Sequence, residues 1–444
     1  MIRRWRTAAG RRGGARTALA LTAVPVTLLA ALLLPASPVA ADDGSGYAFA
    51  PGAHTIEGAA GSAAAEPLEP GTTYRSTLPD RGKRYFRLEL AAGATAYVPV
   101  TAVPPADATV SASDGIGVSV QDANGATCGY DGARFGAGLS PRPVTALGRR
   151  DTGRTLCKDA GTYYVVVERL ASGSRTTTPG SWDLEIAPVT EPGLVRAGAT
   201  TAPGTWNSAS PEPVTGTARR RTAGAGFATA RTLGPGVWRT GISPGQTLYY
   251  AVPVDWGQQL AATVELGSGG DGHGYVSAAL NLSLYNPVRG PVEDVSLGYD
   301  GTQKTSSPAP LPPVAYANRY AVPGEENAVR FAGAYYLVVH LTGQTADTFG
   351  NGPYDVTLRV RVDGAPESGP RYAGSPVPKG VFDPPSDQGP GGGLSVPTGG
   401  DGTSMRLLAA GGIGTGTALL LGLGVWTLTA RRAQMRVNAQ KPTA

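Results

Sequence analysis

Between residues 121 and 132 the chain reads QDANGATCGYDG, placing Asp122, Asn124, Cys128 and Asp131 within one short stretch. Oxygen donors at such spacing suit calcium, which takes roughly six to eight oxygens, often from loops. A second stretch, VEDVSLGYDG at 292–301, offers Glu293, Asp294 and Asp300. The same residue types also favour ordinary turns. The two cysteines of the chain, Cys128 and Cys157, read as a disulfide closing a loop of about 30 residues, worth roughly 3 kcal/mol in the chain-entropy model; two free thiols or a metal pair are the alternatives. The three histidines, His54, His273 and His340, are scattered, with neither the paired spacing of a zinc site nor a G-x-S-x-G elbow nearby. His340 sits where a repeat of the same strand carries Glu168, so no special chemistry is expected there. Trp206, Trp238 and Trp256 suit stacking on sugars or, alternatively, core packing and loop anchoring. The expectation is a protein that is not an enzyme, holds no cofactor, and has calcium as its one open metal candidate.

The elements that position these residues are written twice. AGTYYVVVERL at 160–170 returns as AGAYYLVVHLT at 332–342, and Asp183 in GSWDLEI falls on Asp355 in GPYDVTL, both at a spacing of 172 residues. Tyr74 answers Trp238, Tyr85 answers Tyr249 and Gly93 answers Gly257, so order is preserved and an internal duplication follows. The runs are short, rich in Val, Tyr, Thr and Leu, and bounded by Gly, Pro, Asp and Asn, which marks strands. WDLEI alternates Trp182, Leu184 and Ile186 against Asp183 and Glu185, the period of a strand with one buried face. TYYVVVE is uniformly apolar, as in a central strand. The fold class expected is all-β: two tandem jelly-roll-like antiparallel β-sandwiches, at 65–190 and 223–363, each long enough to bury a core.

The ends set the surroundings. Residues 1–16 hold six arginines and no acid; an apolar run follows to residue 34, then PASPVAADD. This is a secretory signal peptide over 1–41, cleaved between Ala41 and Asp42; the arginine pairs admit a twin-arginine route as the alternative. Residues 407–430 form an uncharged stretch of 24 residues, and a membrane helix is expected over 406–430, since roughly 20 apolar residues span a bilayer. The acid-free tail 431–444 places the cytoplasm at the C-terminus; SVPTGG at 395–400 leaves a cleaved wall anchor as the alternative. Residues 42–64 read as a flexible segment, 191–222 as a linker and 364–404 as a Pro/Gly-rich stalk. The chain carries a formal charge of +5, but the leader contributes six positive charges and the last forty residues five, so 42–404 carries −6. A mildly acidic ectodomain without basic, aromatic-interleaved patches excludes a nucleic-acid partner.

The strand series RYFRLEL, AAGATAYV, VSVQDANG and AGTYYVVVE resembles the bacterial pre-peptidase C-terminal domain, at residues 85–86, 93, 118–125 and 161–167. The second unit resembles it at 249–250, 257, 282–290 and 333–339. The resemblance implies jelly-roll-like sandwiches that usually accompany secreted proteases as accessories rather than catalysts, some members binding polymers or calcium. No peptidase segment is read beside them here. The expected role is a single-pass cell-membrane protein with its N-terminal ectodomain outside, presenting two binding or scaffolding modules to a protein or cell-envelope polymer. The alternatives are an accessory subunit of an extracellular enzyme or secretion complex, and a cryptic hydrolase. N-terminal sequencing of the membrane-extracted protein is expected to begin near Asp42; a chain still starting at Met1 would contradict secretion.

Overall fold

The computed structural model describes residues 46–153, 157–171, 180–269 and 272–385. The leader 1–41, its cleavage site at Ala41 and Asp42, the span 406–430 and the tail 431–444 lie outside the described residues. Among the described residues no helix is long and apolar enough to cross a membrane.

The architecture is mostly β. The first half contributes β1 (His54–Thr55), β2 (Glu66–Pro67), β3 (Tyr74–Leu78), β4 (Lys83–Leu90), β5 (Thr95–Val103), β6 (Gly115–Asp122), β7 (Thr127–Arg134), β8 (Val144–Arg150), β9 (Gly161–Leu170), β10 (Trp182–Ile186) and β11 (Val189–Glu191). The second half contributes β12 (Arg219–Arg220), β13 (Arg231–Thr232), β14 (Gly236–Ile242), β15 (Thr247–Val254), β16 (Gln259–Leu266), β17 (Val276–Tyr285), β18 (Pro291–Tyr299), β19 (Lys304–Ser306), β20 (Gly333–Leu341) and β21 (Tyr354–Asp363).

Each half is a pair of sheets. The order β2-β4-β9-β6-β7 is repeated by β13-β15-β20-β17-β18, and β1-β3-β10-β5 is repeated by β12-β14-β21-β16. The duplication read in the sequence is therefore also a duplication of topology. The sheets are not purely antiparallel: the short leading strands β1, β2, β12 and β13 pair in parallel with β3, β4, β14 and β15.

The alternation expected for half-buried strands decides the inner faces. Tyr163, Val165 and Val167 of β9 enter one core with Phe86, Leu88, Trp182 and Leu184. Tyr335, Leu337 and Val339 of β20 enter the other with Tyr250, Val252 and Leu358. Val166 and Val338, one residue out of phase, point away from these cores. Val338 instead joins Tyr47, Val103, Phe227, Tyr249 and Tyr336 in a third apolar cluster that lies between the halves. A fourth cluster joins Tyr97 and Val189 of the first half to Val288 and Phe331 of the second and to Phe382.

The outer face of the β5 sheet thus packs on the outer face of the β20 sheet. That explains why all nine residues of β5 are buried, while β9, expected to be a central strand, keeps a partly exposed face. The described residues of both sandwiches fall in one compact unit.

Described parts of the three segments read as flexible, linker and stalk are packed. In the segment read as flexible, Tyr47 and Ile56 are buried, and β1 pairs with β3. The linker 191–222 begins with buried Glu191 and ends in β12. In the segment read as a stalk, residues 371–382 are packed. Residues 371–377 run antiparallel to 190–195 through bridges Thr190–Val377 and Leu194–Tyr372, and Phe382 stacks on Phe331 with centroids 4.8 Å apart. A backbone beside an unpaired strand edge satisfies its own polar groups there, so Pro/Gly-rich composition did not keep this strap in solvent.

Val339→Asp is expected to abolish folding of the second sandwich, because an unpaired charge in a core costs several kcal/mol. Val338→Asp is expected instead to open the seam. Calorimetry of the full chain should show one transition for wild type and two for Val338→Asp; two resolved transitions in wild type would contradict a coupled unit.

Candidate functional site

The residues singled out for calcium are not brought together. Asp122 closes the β6–β7 hairpin: its Oδ1 accepts the N–H groups of Asn124 at 2.9 Å and Ala126 at 2.8 Å. Asp131 pairs with Val118, four residues along β6 from Asp122, hence about 13 Å away at about 3.3 Å per residue. Its Oδ1 accepts from Gly132 and its Oδ2 from Leu147 of β8, while burial raises its pKa. Glu293 and Asp294 are neighbours on β18 and so point to opposite faces. Asp300 folds back on Thr302 and forms an ion pair with Lys304. Among the described residues no group of three acidic, histidine or cysteine side chains could hold a metal. Asp122 and Asp300 serve as turn formers, adjacent backbone N–H groups having reached them.

Cys128 and Cys157 form the expected disulfide, tying β7 to the segment before β9. Trp238 donates to the Gly234 carbonyl at 2.8 Å and lies under Arg219, and both Trp238 and Trp256 pack against the second core. Trp206 is partly buried. His54 and His273 are exposed.

The chemistry sequence reasoning missed lies at the seam. Glu185 of β10 is fully buried. Its Oε1 accepts from Arg289 Nη1 at 2.6 Å and from the Tyr47 hydroxyl at 3.0 Å, and its Oε2 from the Ala50 N–H at 2.7 Å. Arg289 occupies a left-handed position at φ 55° in the β17–β18 turn, which the Asn286 side chain holds by accepting from Val288 and Gly290. Burial is the largest single influence on Arg289 and opposes its charge, but Glu185 together with Tyr47 and Tyr336 outweighs it and the pKa is raised.

Glu191 of β11 repeats the arrangement. It accepts from Arg319 Nη2 at 2.7 Å and from the hydroxyls of Tyr97 at 2.8 Å and Tyr372 at 2.9 Å. In both pairs the acid comes from the first sandwich and the arginine from the second. One signal was available in the sequence. At the spacing of 172, Glu185 falls on Thr357 and Glu168 on His340; positions where the repeats exchange a charge for a neutral group include those that meet at the seam.

His340 departs most from its sequence reading. Its counterpart Glu168 is a partly exposed partner of Lys83. His340 is buried, with Nδ1 at 2.9 Å from Thr247 Oγ1 and Nε2 at 3.0 Å from Ser140 Oγ of the other sandwich. Ser140 Oγ also accepts the Gly343 N–H, and Thr342 donates to the Gly138 carbonyl. Burial, with Arg142 adding to it, pulls the His340 pKa down to about 3. A Ser–His contact invites comparison with a hydrolase dyad. Here the ring's second nitrogen faces a hydroxyl rather than a carboxylate, and a base this weak is poorly matched to taking a serine proton near neutral pH.

Two clefts flank this joint. One, of about 650 Å³, lies among 140–143, 222–225 and 240–248; another, of about 300 Å³, includes Arg142, His340, Asn281, Glu293 and Asp294.

No family model and no curated protein matches the sequence. Among solved structures, the chain is similar to the CUB1-EGF-CUB2 domain of human MASP-1/3, at 8% identity and TM-score 0.15, over 65% of this chain and 99% of that one. It is also similar to the CBM22-1-CBM22-2 tandem domain of Paenibacillus barcinonensis Xyn10C, at 9% identity and TM-score 0.17, over 67% and 88%. Tandem CBM51 modules from Streptococcus pneumoniae give 7% identity and TM-score 0.16, over 66% and 84%. Likeness at these TM-scores carries no argument about this chain.

A buried neutral histidine makes stability depend on acid. An unfolded histidine takes a proton below pH about 6.5, whereas His340 in the folded protein takes one only near pH 3. Its contribution is therefore present above pH 6.5 and lost as pH falls towards 3, at up to about 1.4 kcal/mol per pH unit. Denaturant titrations at pH 7.0, 5.5 and 4.5 should show this slope, and His340→Gln should flatten it. An unchanged slope in the variant would place the acid sensitivity elsewhere.

Proposed function

We propose that this chain is a non-catalytic binding or scaffolding protein of the bacterial cell envelope. It presents a two-sandwich unit outside the membrane, with a C-terminal span over 406–430 and the basic tail 431–444 in the cytoplasm. The modules are read as jelly-roll-like relatives of pre-peptidase C-terminal domains, the reading suggested by RYFRLEL and AGTYYVVVE.

The observation that carries the proposal is how the buried charge is used. Glu185–Arg289 and Glu191–Arg319 join the two modules through side chains that are at most 9% exposed. Removing one member of such a pair typically costs about 3–5 kcal/mol, so the pairs favour a fixed geometry between modules. A fixed seam keeps an open cleft in constant shape, which suits presentation of a binding surface. The weak basicity of His340 argues against acyl transfer at Ser140.

The test uses the full chain. It should resist alkaline carbonate extraction from membranes, with an added C-terminal epitope shielded from external protease. It should sediment saturably with isolated cell-wall polymer, or cross-link at fixed stoichiometry to one membrane protein. Ester and casein hydrolysis should not exceed that of Ser140→Ala. Turnover lost specifically in Ser140→Ala would overturn the non-catalytic reading, and release by carbonate would overturn the anchoring.

A further inference from the structure

The 650 Å³ seam cleft combines three features that the binding role above does not by itself require. First, its lining among the described residues carries one charged group, Arg142. Arg142 Nη1 donates to the Phe135 carbonyl at 2.7 Å, and the guanidinium lies 5.9 Å from that ring. It makes no ion pair among the described residues. Burial lowers its pKa, opposed in part by Tyr285 and Asp294. Arg142 also lines the neighbouring cleft, where Glu293 and Asp294 lie; those two acids do not line this one. With Nη1 engaged, the Nε–Nη2 edge remains, the side-on fork that matches a carboxylate in bidentate fashion.

Second, one wall is a bare strand edge. β12 pairs with β14 only at Trp238 and Arg239, and Arg221 N–H closes the pairing on the Arg239 carbonyl. Thr240 and Gly241 lie beyond it and both line the cleft, the Gly241 carbonyl accepting only a long bond of 3.4 Å from the Thr240 hydroxyl. An uncovered edge offers main-chain groups to an added strand. Third, the lining contains no aromatic ring on which a sugar could stack.

Resting on the binding role proposed above, we infer that this cleft takes an extended peptide segment bearing a carboxylate. The peptide backbone lies along β14 at Thr240–Gly241 and the carboxylate meets Arg142. The carboxylate belongs either to a free C-terminus or to an Asp or Glu side chain. Because 140–143 and 240–248 come from different sandwiches, the site exists only when the seam is closed.

The probes are fluorescein-labelled penta-alanine with a free C-terminal carboxylate, its C-terminal amide, an amidated version containing one Glu, and a backbone N-methylated version of the acid. Anisotropy is measured on the full chain. The free acid should bind at least about tenfold tighter than the amide, and N-methylation should remove most of that affinity. Binding of the amidated Glu peptide as tightly as the free acid would assign the carboxylate to a side chain; its failure would assign it to a C-terminus. Arg142→Gln should abolish the acid preference. Arg142→Lys, which keeps the charge and loses the fork, should retain only part of it and reports even where the glutamine variant folds poorly. Equal affinity for acid and amide, including no binding of either, would overturn the inference, as would a preference that survives in well-folded Arg142→Gln. Saturable binding to wall polymer or a membrane protein in the face of that outcome would leave the broader binding role standing and remove only this site.

Discussion

The buried carboxylate of Glu185 is the constraint around which the described residues are organised. A carboxylate with no solvent contact must be paired and hydrogen-bonded, or its desolvation would cost several kcal/mol. Carried on β10 of the first sandwich, it takes partners from two places: Tyr47 and Ala50 from the leading segment, and Arg289 from the second sandwich. The leading segment is packed because it supplies two of those donors. The β17–β18 turn adopts a left-handed residue because Arg289 must reach across the seam. Glu191 performs the same service for the C-terminal strap, through Tyr372, and for the 316–320 turn, through Arg319.

These pairs sit within apolar surroundings that make them strong and unforgiving. Tyr97, Phe331 and Phe382 enclose one side, and Tyr47, Tyr249 and Phe227 the other. The same enclosure lowers the basicity of His340 and leaves Arg142 desolvated at the lip of a cleft. The duplicated halves have therefore diverged according to position. Lys83 and Glu168 face one another on the outer sheet of the first sandwich, with water at hand. The same register in the second sandwich pairs Thr247 with His340, which face the neighbour instead. A salt bridge suits the solvated site, and a neutral hydrogen-bonded pair suits the dry one, where each charge would need a partner of its own.

The strap at 371–382 connects this organisation to the C-terminal end of the described chain. It extends the first sandwich by pairing with 190–195 and reaches the second through Phe382 on Phe331. The chain at residue 382 is thus held to both sandwiches rather than to the last one alone. Load along it would be shared across the seam, which is consistent with presentation of a binding cleft in one shape.

Much of this was legible in the residue pattern. WDLEI and YFRLEL alternate with the period of a strand, and that period follows from backbone geometry alone. The repeat at 172 residues announced two copies of one topology, and two cysteines in one unit announced their bridge, since each follows from residues of a single unit. The same reasoning set Glu185 on the polar face of its strand, read 42–64 as flexible, 191–222 as a linker and 364–404 as a stalk, and left Asp122 and Asp131 open between turns and calcium. What the pattern left undecided has one cause. A period of two tells which residues share a face but not what that face will meet, and the partner of Glu185 lies 104 residues away. Only the packing of one sheet's outer face on another's decided that a polar face was interior, that loosely composed segments had donors to supply, and that a histidine in a repeated strand became part of a joint. Burial and electrostatics depend on distance in space, and sequence separation does not encode it.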